Sequence, residues 1–508
     1  MSEKITITIE DGQTRQKILH DKENSVLETF LKNGVVQGSF CKGISLCGRC
    51  KLRFLKGTPL PSVSDRKYFD SALLREGYRL ACSAKPKQDC TIELCFEKEA
   101  DMQIVAGVRN IFGNEPDGQS IEESRMAETA AGIKRHSHIF AAADIGTTTV
   151  VVQLADVQTG EVLSTAKFMN PQRRYGLDVL SRIQAASEHG EDMRKSIWKA
   201  VMQGIGSLLH LNPSSQMSPK HAIQPELLCI TGNTAMLHIL MGYDTSGLGK
   251  SPFTPVSVKE TETAAEGIRT LIMPSVSAFV GADVAAGILE TGMQSSEKIT
   301  LLIDLGTNGE MALGNRDKIF ACAAAAGPAF EGGAGQGIYG ADILAAIACL
   351  LDEGAIEENG YMESPKTCTY HGKQIEITLE KVREIQLAKA AVRAGIELLI
   401  KKYGLYSYEQ IDTVYLAGGF GFFLSDYAAV RTGLLPKELG DRTRAIGNSA
   451  LAGALRYGRN YLIAHSNGSD TLNGADLDTT RIESFNLAEE KEFQDTYIEY
   501  MNFPKQRG

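Results

Sequence analysis

Two segments of this chain, about 160 residues apart, repeat one pattern: an apolar run, Asp, an apolar residue, Gly, Thr, a polar residue. The first is His138-Ile-Phe-Ala-Ala-Ala-Asp144-Ile-Gly146-Thr147-Thr148-Thr149, and the second is Thr300-Leu-Leu-Ile-Asp304-Leu-Gly306-Thr307-Asn308-Gly309-Glu310. A repeat at that distance is a duplicated domain, because solenoid periods run only to about 50 residues. Each copy reads as strand, tight turn, strand. The Gly-Thr turn offers backbone N–H and hydroxyl donors to a phosphate. The aspartate beside it is placed to hold a metal or a metal-bound water. Two such hairpins facing one another would clamp a nucleoside triphosphate. One copy alone reads as readily as a plain hairpin turn.

A third segment strengthens the pair. Asp412-Thr-Val-Tyr-Leu-Ala417-Gly418-Gly419-Phe420 reads as a buried strand running into two glycines, which let the chain pass flat against an adenine ring. Before it, residues 384–402 carry apolar side chains at 385, 388, 392, 396 and 399, one stripe of an amphipathic helix. Gly447-Asn-Ser-Ala-Leu-Ala-Gly-Ala454 predicts a small-residue helix able to approach another closely.

Near the start stand Cys41, Cys47, Cys50 and Cys82, spaced C-x5-C-x2-C with 31 residues before the fourth. Three thiols in one loop and a fourth from a later segment is an arrangement that holds an iron–sulfur cluster. Gly43 and Gly48 let the loop turn sharply and bring N–H groups towards the cluster sulfurs. Zinc is the alternative, since C-x2-C is also a zinc knuckle, but a zinc ribbon brings a second close pair and Cys82 stands alone. Cys90 and Cys95 fall on opposite faces of an apolar strand and read as packing residues. The surroundings suit a small sheet. Ile5–Glu10 alternates as a half-buried strand, and Asp11-Gly12 signals a hairpin. Ser25 and Glu28 form a capping box for a helix that ends at Gly34. Strands are expected at 50–55 and 91–96.

At 508 residues the chain has room for about three domains. Its 43% hydrophobic and 23% charged residues are those of a globular protein. A net charge of −9 without a basic run argues against nucleic acid and against an anionic membrane surface. No stretch of 18 apolar residues predicts a membrane span, and no apolar core follows the N-terminus as in a signal peptide. Ten cysteines, four committed to metal, fit a reducing compartment, so a cytoplasmic location is expected. Residues 98–137 weaken in pattern and read as a linker or small connecting element, with a polar helix expected at 120–135.

Residues 1–97 resemble the β-grasp [2Fe–2S] ferredoxins, with the five-residue first gap of the adrenodoxin-like branch. That resemblance implies a one-electron [2Fe–2S] cluster ligated by Cys41, Cys47, Cys50 and Cys82. Residues 138–465 resemble the ASKHA superfamily of acetate and sugar kinases, heat-shock chaperones and actin, a duplicated ribonuclease H-like ATPase. It implies ATP with Mg²⁺. Asp144, Gly146, Thr147, Thr148 and Thr149 match the first phosphate loop. Asp304, Gly306, Thr307, Asn308 and Gly309 match the second, and Gly418, Gly419 and Phe420 match the adenosine segment. Asp304, Glu310 and Asp144 are the catalytic candidates. The expected fold is therefore multidomain, α/β and α+β: a ferredoxin domain, a linker, the ATPase of two duplicated subdomains, and a C-terminal extension, 466–508, packing on the ATPase domain.

The whole chain is similar to the reductive activators of corrinoid proteins. Asn170-Pro-Gln-Arg-Arg-Tyr-Gly-Leu-Asp178, Thr231-Gly-Asn-Thr234, Ala325–Glu331 and the ending Tyr500-Met-Asn-Phe-Pro504 are of that kind. This resemblance implies ATP-dependent one-electron reduction of an inactive Co(II) corrinoid protein to Co(I). The partners implied are that corrinoid protein and a low-potential donor such as a ferredoxin or flavodoxin; a homodimer is left open. Three other readings stay open: a redox sensor gating an ATPase, a small-molecule kinase with an appended ferredoxin, and an activator of a dehydratase or radical enzyme. Glu310 is either the residue that orients the attacking water or a solvent-facing strand carboxylate. Asp178 either enters the cleft or caps a helix. Cys322 reads as a small buried residue, and His136 and His138 as solvated.

Overall fold

The computed structural model describes residues 4–11, 14–33, 35, 50–69, 71–94, 138–209, 224–306, 308–330, 340–370, 373–466 and 477–505. Cys41, Cys47, Cys95, Thr307 and the expected linker helix lie outside them. The chain divides into two units. One holds the described residues up to Leu94 together with Pro171–Met193, and the other holds the rest.

The first unit is built on a five-stranded sheet of order β2-β1-β5-β3-β4. The strands are β1 (Lys4–Asp11), β2 (Thr14–Asp21), β3 (Lys51–Lys56), β4 (Tyr78–Leu80) and β5 (Cys90–Leu94). The first and last strands lie side by side and parallel, Ile7 against Cys90 and Ile9 against Ile92. That central pair is the β-grasp arrangement. The strict alternation of β1 buries Ile5, Ile7 and Ile9, and Ile7 and Ile9 share a core with Phe30, Leu52, Phe54, Leu80 and Ile92. The helix Val26–Lys32 begins as its sequence requires: Ser25 N–H donates to Glu28 at 2.5 Å and Glu28 N–H donates to the Ser25 hydroxyl at 3.2 Å.

The second unit contains two six-stranded sheets with one plan. The first sheet has the order β10-β11-β9-β6-β7-β8 and the second β18-β17-β12-β13-β14-β19. The strands of the first are β6 (Ile139–Ile145), β7 (Thr149–Asp156), β8 (Val162–Met169), β9 (Leu228–Gly232), β10 (Thr261–Ala265) and β11 (Ile268–Ile272). Those of the second are β12 (Ile299–Leu305), β13 (Gly309–Gly314), β14 (Ile319–Ala324), β17 (Ile411–Ala417), β18 (Thr443–Gly447) and β19 (Ile482–Ser484). A small hairpin, β15 (Lys366–Tyr370) with β16 (Lys373–Ile377), stands apart from both. In each large sheet an antiparallel meander, β6-β7-β8 or β12-β13-β14, is followed by a parallel strand laid against its first member, β9 or β17. This is the ribonuclease H-like plan, twice, and it puts Asp144 and Asp304 at equivalent strand ends.

The expected stripe on residues 384–402 belongs to the helix Leu379–Tyr403, and Ile385, Ala388, Val392, Ile396 and Leu399 are all buried. The small-residue run forms the helix Ser449–Ser466, which packs on the helix Ala282–Thr291 so closely that a Cβ on Gly453 would stand 2.0 Å from the Ala286 carbonyl oxygen. The last segment is part of this unit. β19 adds to β14 in parallel, and the helix Phe493–Glu499 lies on Leu379–Tyr403. Beyond that helix, the ammonium of buried Lys389 donates to the Tyr500 and Asn502 carbonyls.

Candidate functional site

In the first unit the sequence separates Cys50 from Cys82, yet the fold brings their sulfurs to 3.2 Å. The approach follows from the sheet. Cys50 immediately precedes β3, Cys82 follows β4, and Ala81 N–H donates to the Cys50 carbonyl at 2.7 Å. A disulfide would hold the sulfurs about 2.05 Å apart, so these are two thiols side by side, as two ligands of one metal centre must be. Cys90, by contrast, is buried in β5, and burial pushes its thiol up to about 12. It is a packing residue, as its place in the strand suggested.

In the second unit four carboxylates converge where the two sheets end. Asp144 closes β6, Asp304 closes β12, Glu310 pairs across from Asp304 in β13, and Asp283 stands in the first turn of the helix Ala282–Thr291. Burial pushes Asp144 up to about 7, and Asp283 adds to the shift while a hydrogen bond from Asn448 opposes it. Burial pushes Asp304 up to about 7 as well, and the charges acting on it are Asp283 and Asp144. Asp283 rises to about 6 through burial. Glu310 rises well above the ordinary carboxylate range through burial and then the charges of Asp283 and Asp304. Burial raises the proton affinity of all four acids, and the charges of their neighbours add to it for Asp144, Asp304 and Glu310. Beside Asp144, on the neighbouring strand β9, the fully buried Thr231 hydroxyl has no hydrogen-bond partner among the described residues.

The loops that follow the aspartates are built for close approach. A Cβ on Gly146 would stand 2.8 Å from the Thr149 carbonyl oxygen. Asn170 clasps this turn, donating from its side chain to the Gly146 carbonyl at 2.8 Å and from its backbone N–H to Thr148 at 2.9 Å. Thr147, Thr148 and Thr149 are left half-buried at the turn. In the second loop Gly306 N–H donates to the Asn308 carbonyl at 2.9 Å, and the Asn308 side chain hydrogen-bonds Glu310. Gly418 begins the helix Gly418–Phe423 at φ +81°, and a Cβ there would lie 2.5 Å from the Leu305 carbonyl and 2.6 Å from Asp304 Oδ1. Only glycine lets β17 end against Asp304. Gly419 lies in the same first turn. Phe420 departs from expectation: it is buried, and its ring packs at 4.5 Å from that of Phe330. It belongs to the core of the second sheet, not to a face on which a base could stack.

The two halves exchange helix ends. Asn448, which precedes the helix Ser449–Ser466, accepts from Leu451 N–H at 2.8 Å and donates to Asp144 at 2.9 Å. Asp283, on the corresponding helix of the first half, acts on Asp304 and Glu310 in the second. Asp283, Asn448, Thr231 and Asn170 were not singled out as site residues from sequence. Asp283 and Asn448 read as ordinary helix-start residues, and Asn448 does cap its helix, so one-dimensional pattern hides their second role. Asp178 resolves as a cap: its carboxylate accepts from Ser181 N–H at 2.7 Å at the start of the helix Val179–Leu209. Cys322 is fully buried. His138 is exposed but pairs with Glu226 at 2.6 Å. Among the described residues no helix is long and apolar enough to cross a membrane.

Comparison with known proteins follows the same division. A 2Fe-2S iron-sulfur cluster binding domain matches residues 9–87. The RACo middle region matches 140–296, and the C-terminal domain of RACo, the ASKHA domain, matches 298–336 and 334–508. The two RACo regions meet just before β12, where the second copy of the sheet plan begins. The corrinoid activation enzyme RamQ of Eubacterium limosum is 32% identical over 424 residues, covering 70% of this chain and 68% of its own. The [Co(II) methylated amine-specific corrinoid protein] reductase of Methanosarcina barkeri is 25% identical over 381 residues, 61% of this chain and 68% of its own. A solved structure titled reductive activator for corrinoid, iron-sulfur protein superposes with a TM-score of 0.63 at 23% identity, covering 98% of each chain, a likeness of fold.

Proposed function

The chain belongs to the RACo family of corrinoid-protein activators, and we propose that it uses ATP to drive one electron at a time onto the Co(II) form of a corrinoid protein, restoring Co(I). One observation carries this reading: a single chain joins a 2Fe-2S domain to both RACo regions. The residues of each site fit the role. Cys50 and Cys82, with Cys41 and Cys47, would hold the [2Fe–2S] group, which when bound supplies single-electron chemistry. Gly146, Thr147, Thr148 and Thr149 from one loop, and Gly306, Thr307, Asn308 and Gly309 from the other, would donate to phosphate oxygens. Gly418 and Gly419 would let the adenosine lie against the end of β17.

The cation we propose is Mg²⁺. Four carboxylates with raised proton affinity suit a divalent ion, and the unpartnered Thr231 hydroxyl beside Asp144 offers one more oxygen. Among the described residues no three acidic, His or Cys side chains already stand at metal-ligand spacing. Mg²⁺ would therefore rest on one or two carboxylates, phosphate oxygens and water, as it commonly does. Asp144 and Asp304 would orient the cation's water. Glu310, with Asp283 beside it, would accept the proton of the attacking water, a task suited to a carboxyl whose proton affinity burial has raised. Because each half supplies a helix end to the other half's aspartate, closing on nucleotide would shift the two halves together. A cytoplasmic setting suits a chain in which four of ten cysteines would hold a cluster.

The test is anaerobic rapid-mixing spectroscopy of a Co(II) corrinoid protein with the reduced protein. Co(I) is expected to appear with Mg–ATP and to be slow or absent without it. Formation at equal rate and extent without ATP would refute the coupling.

A further inference from the structure

The loop Thr58-Pro59-Leu60-Pro61-Ser62-Val63 does something a folding core does not need. Leu60 and Val63 are 93% and 88% exposed. Single exposed apolar side chains are ordinary on a protein surface, but these two are held out by a pinned loop. Prolines on both sides fix the backbone around Leu60. The buried Arg79 guanidinium donates to the Pro59 carbonyl at 3.0 Å. Ser62 and Asp65 close a capping box at 2.7 and 3.0 Å, and the Ser62 hydroxyl donates to that of Ser83 at 3.0 Å. Ser83 is the residue after Cys82. The loop is thus bolted to the chain beside a cluster-ligand cysteine.

The stretch of sequence that carries it is opposite in charge to the chain as a whole. Residues 51–87 hold nine Lys and Arg against three Asp and Glu, in a chain of net charge −9. Asp65 is buried, and its oxygens accept from Ser62 N–H, Leu80 N–H and the Ser83 hydroxyl. Lys56, Arg66 and Lys85 are exposed.

We propose that this loop is the docking surface for an acidic one-electron carrier protein, the donor that recharges the activator. The proposal rests on the function given above. A small apolar spot with a basic rim steers an acidic partner and lets it leave quickly, as electron-transfer encounters under about 1,200 Å² do. A corrinoid protein has a different requirement. To be governed by nucleotide it must contact the ATPase unit with state-dependent affinity, which a patch in the ferredoxin module does not supply. In the step itself one electron leaves the reduced carrier, which departs oxidised by one, and enters the oxidised [2Fe–2S] centre; no proton or group moves.

The probe is an acidic [2Fe–2S] ferredoxin. Its Kd for the whole, cluster-loaded protein is measured by titration calorimetry, and its rate of electron delivery by rapid mixing. Replacing both apolar residues, L60D/V63D or the uncharged L60S/V63S, is expected to raise Kd at least tenfold and slow delivery likewise. K56E/K85E is expected to flatten the salt dependence of the on-rate. Reduction by methyl viologen radical, and Co(I) formation by chemically pre-reduced protein, should stay unchanged in all three. Unaltered Kd and rate in both Leu60/Val63 variants would overturn the proposal. So would normal carrier binding with lost Co(I) formation, which would assign the loop to the corrinoid protein. If pre-reduced wild-type protein makes no Co(I), the proposed function falls, while a tenfold Kd contrast would still support the docking surface.

Discussion

In the proposed site the carboxylate cluster would make nucleotide binding a proton-coupled event. Asp144 and Asp304 are each pushed up to about 7 from an ordinary 3.8, chiefly by burial. A carboxyl with a raised folded-state pKa costs nothing below its unfolded pKa and its full penalty above the folded one. The nucleotide-free unit should therefore lose stability as pH rises from about 4 to about 7. A shift of about three units is worth at most about 4 kcal/mol for each group. Mg²⁺ and its nucleotide, bound as proposed, would favour the charged carboxylates and expel the protons that remain. At pH 7 Asp144 and Asp304, titrating near 7, hold about one proton between them, and binding should release at least that number. Release should fall towards zero by pH 8.5 as apparent affinity rises. The assay is calorimetry with preformed Mg–AMP-PNP in buffers of different ionisation heat. The variant D304N should cut the release by about half. If the heat at pH 7 does not depend on the buffer, or if D304N releases as many protons as the wild type, the assigned cluster is not where the cation and phosphates bind.

Other perturbations separate the parts. Cys82→Ala should abolish the visible iron–sulfur spectrum while leaving Mg–ATP hydrolysis intact; a retained spectrum would remove Cys82 from the ligand set. Gly418→Ala adds a Cβ at 2.5 Å from the Leu305 carbonyl with φ at +81°, so strain and overlap together should cost about 2–5 kcal/mol and depress hydrolysis, read by thermal unfolding and phosphate release. Asn448→Ala removes a helix cap and a donor to Asp144, so a loss of about 1–3 kcal/mol and weaker nucleotide binding are expected; an unchanged Kd for Mg–AMP-PNP would confine Asn448 to capping. Ending the chain after Glu499 strips the carbonyls from Lys389 and leaves a buried ammonium unpartnered, so a drop in unfolding temperature of several degrees should follow.

Much of this was legible in one dimension because the controlling interactions are local. The Ser25–Glu28 box, the alternation of β1 and the stripe on the helix Leu379–Tyr403 are short-range patterns, and each appears where the sequence put it. The two Asp-x-Gly-Thr turns were readable because a tight turn restricts its residues strongly. What sequence hid is long-range. Asn448 reaches Asp144 across 304 positions, and nothing beside either residue announces the pairing. Asp283 looks like any acid in a first helical turn. The setting of Phe420 was hidden for a related reason: adjacency to Gly418 and Gly419 suggested the nucleotide, and helix geometry turns its ring towards Phe330.

The exchange of helix ends also bears on why an electron carrier should be joined to a duplicated ATPase. Raising an electron through a gap of about 200 mV costs about 4.6 kcal/mol. ATP cannot supply that to the cluster directly, since nucleotide and cysteines occupy separate modules. It can act only by favouring one of two states that hold the corrinoid protein with different strength, and the bias is limited to that difference in affinity, here about three powers of ten. A single nucleotide-binding half would sense phosphate through its own turn alone. With Asn448 of one half on Asp144 of the other, and Asp283 answering across to Asp304 and Glu310, phosphates bound as proposed would engage both halves. In the proposed site that linkage would make closure all-or-none, and an all-or-none change would convert binding energy into a bias of several kcal/mol on the electron transfer.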